Sequence, residues 1–577
     1  MRRKLFFIAT VLSLLIFDLR SFAQCSIYDP HHLQSGSVDQ DISGYRMMTM
    51  DSAGDVFTTG PMTGTLDFGD GFTLSGTGIY FVRFHQGLVV WAKKISATVW
   101  GSAEAIKVDQ HGNLFATGAY KGHLAVDGKY LQGDINSSQW FTVKFDSTGT
   151  CQWMKGSGGN TSGNQSNEDD HGRDLVPDEN GGCFVSGYYS SLFTLDTFIT
   201  STTYEGTGGH AVLAHYDHTG TLDHAKKLFN VASFFATPVI DYDYHGGIYL
   251  AANITGGAMI DTFHLQSSSM RACYVCHMDG TFHLHWYRAI ALDHYDYEPS
   301  LRSIRGSWVY VADEFTDSAW SGNFSLHTPP YGTGLFVAKL DLAGSVLSMW
   351  TAATSSGSSQ IDLAGDGNAI DVLPDGSLYL TGLIAGNADF SGSPESSANG
   401  SHFIARYDPQ RNLQWCTVIG GAPSNSTFPW IFGVCASPCG SAVTGGIYTN
   451  GFNPTTSINY STGFFDYYLV ELDPVTGAVY TNANGVGIDN SLSGNSALGI
   501  FPVPANNELN IQLPQLNKQV EANIMICDAA GKLVYTSKVS SSETLQRVDL
   551  TNFSNGVYFV TLKEGDIVAN GKFVVGR

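Results

Sequence analysis

One segment of the chain reads Phe141-Thr-Val-Lys-Phe-Asp-Ser-Thr-Gly-Thr-Cys-Gln-Trp153. It combines alternating apolar and polar residues, an Asp-x-x-Gly turn and a tryptophan. Alternation of this kind is typical of a half-buried β-strand. Asp and Gly at these positions favour a tight turn, because Gly accepts a positive φ and Asp bonds its own backbone. The segment therefore predicts a β-hairpin.

The strand before the turn recurs seven times. Its fourth, mostly basic position falls at residues 83, 144, 215, 277, 339, 406 and 471, a mean spacing of about 65 residues. A second pattern, apolar-aromatic-x-Thr/Ser-Gly, recurs at the same period, with its aromatic position at residues 57, 115, 184, 249, 310, 379 and 442. Five repeats also carry a tryptophan shortly after the turn, and we expect these to occupy equivalent strand positions: Trp91, Trp153, Trp286, Trp350 and Trp415.

The repeat predicts the fold class. Each copy contains two hairpins, and four antiparallel strands repeated seven times predict an all-β, seven-bladed β-propeller over residues 24–484. Closure of the ring would protect the strand edges. Tandem immunoglobulin-like domains need about 100 residues per unit, and a β-solenoid has a shorter period. The variable stretch between the two hairpins of each copy is expected to lie on one rim.

Composition excludes several partners. The 577 residues carry a net charge of −22, and only 14% are charged. Nucleic-acid binding requires clustered Lys and Arg that this chain lacks. An anionic membrane surface is disfavoured for the same reason.

The N-terminus resembles an export signal. A basic start, Arg2-Arg-Lys4, precedes an apolar stretch from Leu5 to Phe17, which is too short to span a membrane. We expect a signal peptide over residues 1–23, cleaved between Ala23 and Gln24. A lipid anchor on Cys25 is the less favoured alternative, because Gln24 stands where a small residue is needed.

The chain has nine cysteines, so at least one lacks a partner within the molecule. Cys273 and Cys276 have the spacing of metal and redox sites, but residues three apart on a strand point to opposite faces. Disulfides are considered for two pairs: Cys151 with Cys183, and Cys435 with Cys439.

The repeats resemble those of a family of secreted bacterial seven-bladed β-propellers, in which Asp-x-x-Gly and Tyr-x-Thr-Gly units recur. The resemblance covers roughly residues 40 to 485. It implies an architecture and no catalytic residues.

The repeat stops at a Gly-, Ser- and Asn-rich segment, which we interpret as a linker over residues 485–497. Short alternating strands follow, and they predict a small β-sandwich over residues 498–577. This region carries an opening Phe501-Pro-Val-Pro-Ala505, then Asp-x-x-Gly-Lys, Gly-Val-Tyr-Phe-Val and a final Lys-Phe-Val-Val. The residues that define these motifs are Pro502, Pro504, Asn506, Asp528, Gly531, Lys532, Gly556, Tyr558 and Lys572.

These motifs resemble the C-terminal sorting domain of the type IX (Por) secretion system of Bacteroidota. The resemblance implies Sec export, passage across the outer membrane and a secreted or surface location. It also implies the type IX machinery as a partner.

Candidate chemistry is sparse. His264, His277, His283, His285 and His294 cluster in the fourth repeat, but an exposed alternating strand accounts for His283 and His285, and His277 holds a repeat position. The acidic segment 167–170 beside His171 lacks the order of a calcium loop. Asp174 and Asp371 are expected at equivalent positions of two inner strands, where they could serve as acid and base.

We therefore expect a non-enzymatic binding or adhesion module, with a glycan or protein on a propeller rim and no cofactor or metal. The alternative is an extracellular polysaccharide hydrolase or lyase with carboxylates at the channel mouth. An enzyme requires acidic or His side chains that converge at the axis. A spacer without a ligand is a third possibility.

Overall fold

The computed structural model describes residues 46–575 with gaps at 69–70, 86, 160–169, 190–192, 197, 201–209, 231–237, 256–257, 261–262, 267–270, 295–298, 365–367, 421–429, 439, 449–465, 480–498, 502–504, 514–521, 529–532, 541–544, 552, 555 and 565–566. The predicted signal peptide with Ala23, Gln24 and Cys25 lies outside the described residues, as do the linker, Pro502, Pro504, Gly531 and Lys532. The chain divides into two compact units, Met1–Tyr480 and Thr481–Arg577. In the described ranges, every regular element is a strand, and no helix could cross a membrane.

The strands of the first unit follow the seven sequence repeats. Repeat 1 contains β1 (Met48–Met50), β2 (Val56–Met62), β3 (Thr65–Asp67), β4 (Thr73–Ser75), β5 (Gly78–His85) and β6 (Leu88–Ala97). Repeat 2 contains β7 (Trp100–Val108), β8 (Leu114–Lys121), β9 (His123–Val126), β10 (Lys129–Gln132), β11 (Gln139–Phe145) and β12 (Cys151–Gly159). Repeat 3 contains β13 (His171–Pro177), β14 (Cys183–Tyr189), β15 (Phe193–Leu195), β16 (Phe198–Thr200), β17 (His210–Tyr216) and β18 (Leu222–Asn230).

The remaining repeats follow the same plan. Repeat 4 contains β19 (Val239–Tyr242), β20 (Ile248–Thr255), β21 (Ala258–Ile260), β22 (Phe263–Leu265), β23 (Arg271–Met278) and β24 (Leu284–His294). Repeat 5 contains β25 (Ser300–Ile304), β26 (Trp308–Ser321), β27 (Phe324–His327), β28 (Thr333–Leu340) and β29 (Val346–Ser355). Repeat 6 contains β30 (Gln360–Leu363), β31 (Ile370–Val372), β32 (Leu378–Phe390), β33 (Ser393–Tyr407) and β34 (Leu413–Ile419), and repeat 7 contains β35 (Trp430–Ala436), β36 (Ala442–Tyr448) and β37 (Asp466–Leu472).

The two hairpins predicted for each repeat are present as one antiparallel sheet. In repeat 3 the sheet order is β13-β14-β17-β18, and repeats 1, 2, 4, 5 and 6 contain the equivalent four-strand run. Three strands of repeat 7 are described, in the order β35-β36-β37. We call the first strand of each run the inner strand of its repeat; these strands are β1, β7, β13, β19, β25, β31 and β35.

The segment between the two hairpins differs from the sequence expectation. It forms a hairpin of its own, which in several repeats pairs with the outer strand of the preceding repeat. The β9–β10 hairpin of repeat 2 extends from β6, and the β15–β16 hairpin of repeat 3 extends from β12. These hairpins cover strand edges that would otherwise be open. The segment that was expected only to lie on a rim therefore also joins neighbouring repeats.

Seven hydrophobic clusters lie between successive repeats. Each contains buried residues of two neighbouring repeats, as in the cluster that joins Phe57 and Phe81 of repeat 1 to Phe141 of repeat 2. The seventh joins the last repeat to the first, with Phe432 and Val443 beside Met48 and Tyr80. Consecutive inner strands contact one another, and β35 contacts β1. The first unit is thus a propeller-like all-β arrangement.

Six cysteines whose side chains are described are free thiols: Cys151, Cys183, Cys273, Cys276, Cys416 and Cys435. Cys151 lies in the cluster between repeats 1 and 2, whereas Cys183 lies in the cluster between repeats 2 and 3. The considered Cys151–Cys183 disulfide is therefore wrong, because one sheet separates the two layers. Cys273 and Cys276 face different clusters, as the strand argument predicted. Cys439 lies outside the described residues.

The second unit has two sheets. They are β38-β39-β42 and β41-β40-β43-β44, formed by β38 (Gly499–Phe501), β39 (Glu508–Gln512), β40 (Ala522–Asp528), β41 (Leu533–Val539), β42 (Leu545–Asp549), β43 (Gly556–Glu564) and β44 (Ile567–Val575). Alternate residues from both sheets form one core, which includes Leu509, Ile524 and Val560.

Candidate functional site

A cavity of about 460 Å³ opens at the C-terminal ends of six inner strands. Its lining comes from β1, β7, β13, β19, β25 and β31 and from the turns that follow them. This volume falls within the range of roughly 300–1,000 Å³ that is usual for small-molecule sites. We call this cavity the channel mouth.

The register of the sheets defines one layer of side chains at the channel mouth. In each repeat, one inner-strand residue pairs with the aromatic marker, and these residues hold equivalent positions. They are Thr49, Lys107, Val176, Asp241, Arg302, Asp371 and Cys435. In repeat 7 the marker position is Val443, one residue beyond the position expected from sequence, because Val443 pairs with Glu471.

The expected equivalence of Asp174 and Asp371 is wrong. Asp371 pairs with Tyr379, at the aromatic position, whereas Asp174 pairs with Ser186, two residues further along its partner strand. Val176 is the true counterpart of Asp371. Asp174 therefore belongs to a different level of the axis.

The acidic residues near the axis bond to backbone amides of the neighbouring inner strand. Asp174 accepts from the Ile240 N–H at 2.8 Å, Asp241 from Ser303 N–H at 2.6 Å and Asp371 from Ala436 N–H at 2.7 Å. The second oxygen of each accepts the N–H of the residue that follows it. Every oxygen of the three carboxylates is thus an acceptor for backbone, and these groups link inner strands.

Two cations share the layer. The Arg302 Nε donates to Asp371 Oδ1 at 2.9 Å. Burial alone would lower the pKa of Arg302, but Asp371 and Asp241 raise it. Burial lowers the pKa of Lys107, and the charge of Arg302 lowers it further, while Asp174 and Asp241 oppose that change. Within the described part of the chain, no hydrogen bond or ion pair engages the Lys107 ammonium.

The turns carry an ion pair beside the channel mouth. The guanidinium of Arg305, in repeat 5, lies 2.6 Å from Glu179 of repeat 3. Arg305 also lies over the ring of Tyr244, in repeat 4, at 5.5 Å. Tyr244 has a φ of 61°, a left-handed conformation that is uncommon for a residue with a Cβ. Three repeats therefore meet at this edge of the cavity.

The repeat markers have structural partners. The basic fourth position lies over the aromatic marker of the adjacent strand, as in Arg83 over Phe57 at 5.4 Å and Lys144 over Phe115 at 5.0 Å. His277 takes the same place beside Tyr249 and binds Asp243 Oδ2 at 2.8 Å. These cation–π and hydrogen-bond contacts explain the recurring sequence pattern.

Four tryptophans occupy one strand position. Trp91, Trp153, Trp286 and Trp415 each pair with the basic fourth position of their repeat. Each indole N–H donates to a turn carbonyl of the next repeat, at 3.0–3.2 Å. The ring covers the turn glycine of that repeat: Gly149, Gly220, Gly344 and Gly477. We call each of these a Trp–Gly contact.

Trp350 departs from the expected equivalence. It pairs with Val337, whereas Ser348 pairs with the basic Lys339. The next repeat has Arg411 at the turn position that glycine occupies elsewhere, with a φ of 73°. The Arg411 guanidinium lies 5.9 Å from the centre of the Trp350 ring.

The histidine and acidic candidates do not converge. His283 and His285 are exposed near Asp279. Asp170 is buried beside Ser157, and His171 binds Glu104; residues 167–169 lie outside the described ranges. Among the described residues, no group of three His, Cys, Asp or Glu side chains is placed to hold a metal ion.

Sequence reasoning missed Lys107, Asp241 and Arg302. The signal that could have found them is their spacing, because each stands eight residues before the aromatic marker of its repeat. The three are chemically unlike, so no single residue type recurs at this position.

In the second unit, the opening and final motifs meet. Ala505 forms a bridge with Val575, and β44 pairs along β43. The Tyr558 hydroxyl donates to the Ser554 carbonyl at 2.8 Å, and its ring stacks on Phe573. Asp528 pairs with Tyr558 and Lys572 with Phe559 across the same sheet, whose strand β43 begins at Gly556; Asn506 is exposed after the bridge.

Residues 499–576 match the family described as the secretion system C-terminal sorting domain. The match supports type IX sorting. The sorting domain supports export to the cell surface or beyond it, and implies contact with the secretion machinery.

Other comparisons are distant. No curated protein matches the chain in sequence. A glycoside hydrolase family 32 structure from Bifidobacterium adolescentis is 11% identical, with 95% of each chain covered and a TM-score of 0.25. An apocarotenoid oxygenase mutant from Synechocystis is 10% identical over 80% of this chain and 94% of that chain, with a TM-score of 0.33. A neuraminidase-like protein of subtype N11, from A/flat-faced bat/Peru/033/2010, is 12% identical over 70% of this chain and 97% of that chain, with a TM-score of 0.29.

Proposed function

We propose that the chain is an exported, closed seven-bladed β-propeller that binds a ligand at the channel mouth without chemical turnover. In this proposal a signal peptide occupies residues 1–23, the propeller 24–484, a linker 485–497 and the sorting tail 498–577. The cluster that joins Phe432 to Met48, and the contact of β35 with β1, support the closed ring.

The hydrogen bonds made by the three carboxylates near the axis favour binding over hydrolysis. A hydrolase or lyase needs two acidic groups free to exchange protons with a substrate. Asp174, Asp241 and Asp371 instead hold backbone amides of neighbouring strands, so proton transfer to a substrate would compete with those bonds. The cavity beside them remains large enough for a ligand.

A joint binding and activity screen tests this role. The full chain would be applied to a glycan array and incubated with extracellular polysaccharides, with release of reducing ends as the activity readout. We expect binding to at least one class without release of ends. Turnover that Asp371→Asn abolishes would favour the hydrolase alternative.

Delivery has a separate test. Residues 498–577 fused to an unrelated Sec-exported reporter should carry it to the surface of a host with type IX secretion. The matched control carries Gly556→Asp and Tyr558→Ala in the fused tail. A reporter that stays in the periplasm would contradict the proposed role of the tail.

A further inference from the structure

A second cavity lies between the outer strands of repeats 4 and 5 and shares no lining residue with the channel mouth. Its volume is about 400 Å³. It forms where the second half of β26 pairs with β24, and the residue after β22 closes one side. We call this cavity the outer pocket; its lining includes Gln266, Tyr287, Ala289, Ala291, Trp320 and Ser321.

Two aromatic side chains flank an alanine floor in the outer pocket. Tyr287, Ala289 and Ala291 alternate onto one face of β24. Trp320 lies directly opposite Ala291 on the neighbouring strand, so its side chain shares that face. Both rings are half-buried, and each keeps a surface that a ligand can cover. The Tyr287 hydroxyl donates to the His264 carbonyl at 3.2 Å, which holds the ring at one side of the pocket.

The aromatic pair departs from the repeat pattern. Tyr287 is the residue after the strand position that Trp286 occupies in repeat 4. The equivalent residues of five other repeats are not aromatic: Ala92, Met154, Ala225, Met349 and Cys416. The counterparts of Trp320 in the β9–β10 and β15–β16 hairpins are Ala125 and Thr194. Neighbouring repeats thus pack without aromatic side chains at either position, so their presence here points to a contact beyond the repeat pattern.

The polar groups of the outer pocket are mostly neutral. Among its described lining residues it has no carboxylate and one cation, Arg288, whose Nε donates to the Gly344 carbonyl of repeat 5 at 2.7 Å. Arg288 alternates with Tyr287 and therefore leaves β24 on the opposite face. The Gln266 amide can donate and accept, and the Tyr287 hydroxyl oxygen can accept a further hydrogen bond.

These features match one class of small molecule. A sugar ring has apolar C–H faces and a rim of hydroxyl groups. Flat aromatic side chains cover the faces, while amide and hydroxyl groups at the edge bind the rim. The volume lies near the lower end of the usual range for small-molecule sites, which suits one or two sugar rings.

We propose that the outer pocket binds an uncharged sugar residue, which contacts Tyr287 and Trp320 and lies over Ala289. The outer pocket is separate from the binding role proposed for the channel mouth, and neither depends on the other.

Saturation-transfer nuclear magnetic resonance on the full chain tests the site. The probes are the methyl glycosides of glucose, galactose, mannose and xylose, which carry no charge. We expect at least one of them to bind with a dissociation constant of about 1 mM, the affinity typical of so small a ligand. Transfer should be strongest to the ring C–H groups, because these contact the aromatic side chains.

Variants assign the binding to the outer pocket. Trp320→Ala should weaken it at least about tenfold, and Trp320→Phe, which keeps a flat ring, should retain most of it. Ala289→Leu leaves both aromatic residues in place and should block binding by filling the floor. Trp308→Ala is the matched control, because Trp308 lies on the same strand outside the pocket, 4.0 Å from the Lys339 ammonium. Thermal unfolding of each variant verifies that it is folded.

Failure of all four glycosides to bind would overturn the inference, as would equal binding by the wild type, Trp320→Ala and Ala289→Leu. In the second case the sugar binds elsewhere, and the binding function proposed for the channel mouth would stand. Binding of indole without binding of any glycoside would assign the pocket to planar aromatic compounds and would also overturn the inference. Binding that depends on Trp320 supports the inference whether or not the channel mouth has a ligand.

Discussion

Two kinds of interface join the repeats. At four interfaces, between repeats 1 and 2, 2 and 3, 4 and 5, and 6 and 7, a tryptophan covers the turn glycine of the next repeat. At the interfaces after repeats 3 and 5 the tryptophan position holds His224 and Ser348, and the turn position holds Phe282 and Arg411. At these six interfaces, tryptophan and glycine are thus present together or replaced together.

Steric fit explains this pairing. A Cβ added to Gly220 would lie 2.7 Å from the Trp153 ring, so any larger residue would displace the indole. Where the turn residue is larger, another contact fills the interface, as in the edge-on packing of Phe282 against Phe184 at 5.9 Å. The comparison teaches that the interfaces are held by pairs of residues and that neither member can change alone.

Among the substitutions that test this comparison, removal of a tryptophan should lower the free energy of unfolding most. Trp153→Ala should lower the free energy of unfolding by about 3–5 kcal/mol, because it opens a cavity and leaves the His218 carbonyl without its indole donor. Trp350→Ala, at an interface without a Trp–Gly contact, should cost less. Urea unfolding of the full chain, followed by circular dichroism, measures both. Equal losses would contradict the distinction between the interfaces.

Replacement of the turn glycine by alanine should cause the next largest loss of stability. Gly220→Ala forces a Cβ into a left-handed conformation, which costs about 1–2 kcal/mol before the clash with Trp153 is counted. Arg411→Ala is the matched change at the same turn position, where a Cβ is already accommodated at a φ of 73°. We expect it to be nearly neutral in the same unfolding measurement. A neutral Gly220→Ala would show that the indole yields without cost.

A buried acid between repeats 4 and 5 allows a smaller, pH-dependent test. Asp313 lies 3.3 Å from the Asn253 amide nitrogen, and burial raises the pKa of Asp313 to about 7. The folded state therefore holds this proton more tightly than the unfolded state. The contribution of the protonated Asp313 carboxyl to the free energy of unfolding is complete below the unfolded pKa of about 4. It declines as the pH rises to about 7, by at most about 1.4 kcal/mol per pH unit.

Asp313→Asn removes the titrating group. The stability of the wild type relative to this variant should fall between about pH 4 and pH 7 and then remain constant. A difference that grows with pH would contradict the raised pKa of Asp313.

The repeat made much of the fold predictable. The spacing of Asp-x-x-Gly turns and alternating strands predicted the two hairpins, since both depend on local backbone preferences. The β9–β10 and β15–β16 hairpins were not predicted, because their pairing with a neighbouring repeat depends on three-dimensional proximity. Trp350 was assigned to the wrong position because it stands eleven residues after Lys339, whereas Trp153 stands nine residues after Lys144.

The channel mouth was harder to predict than the fold. Asp371 was recognised as an inner-strand acid, but Asp174 stands ten residues before the aromatic marker Phe184 and Asp371 eight residues before Tyr379, so the two are not equivalent. Lys107 has no sequence motif, and it stands out only because the surrounding carboxylates are bonded to backbone. Such saturation is a property of the assembled inner strands and cannot be read from local sequence.

Closure of the ring has the most direct test. Spin labels introduced through a non-natural amino acid at Thr148, Thr281 and Val475 would occupy equivalent exposed turns of repeats 2, 4 and 7. In a closed ring of seven, repeats 2 and 4 and repeats 2 and 7 are each two positions apart. Pulsed electron–electron double resonance should therefore give a Thr148–Val475 distance that matches the Thr148–Thr281 distance within a few ångströms. A Thr148–Val475 distance far longer than Thr148–Thr281 would indicate an open arc and contradict the seven-bladed ring.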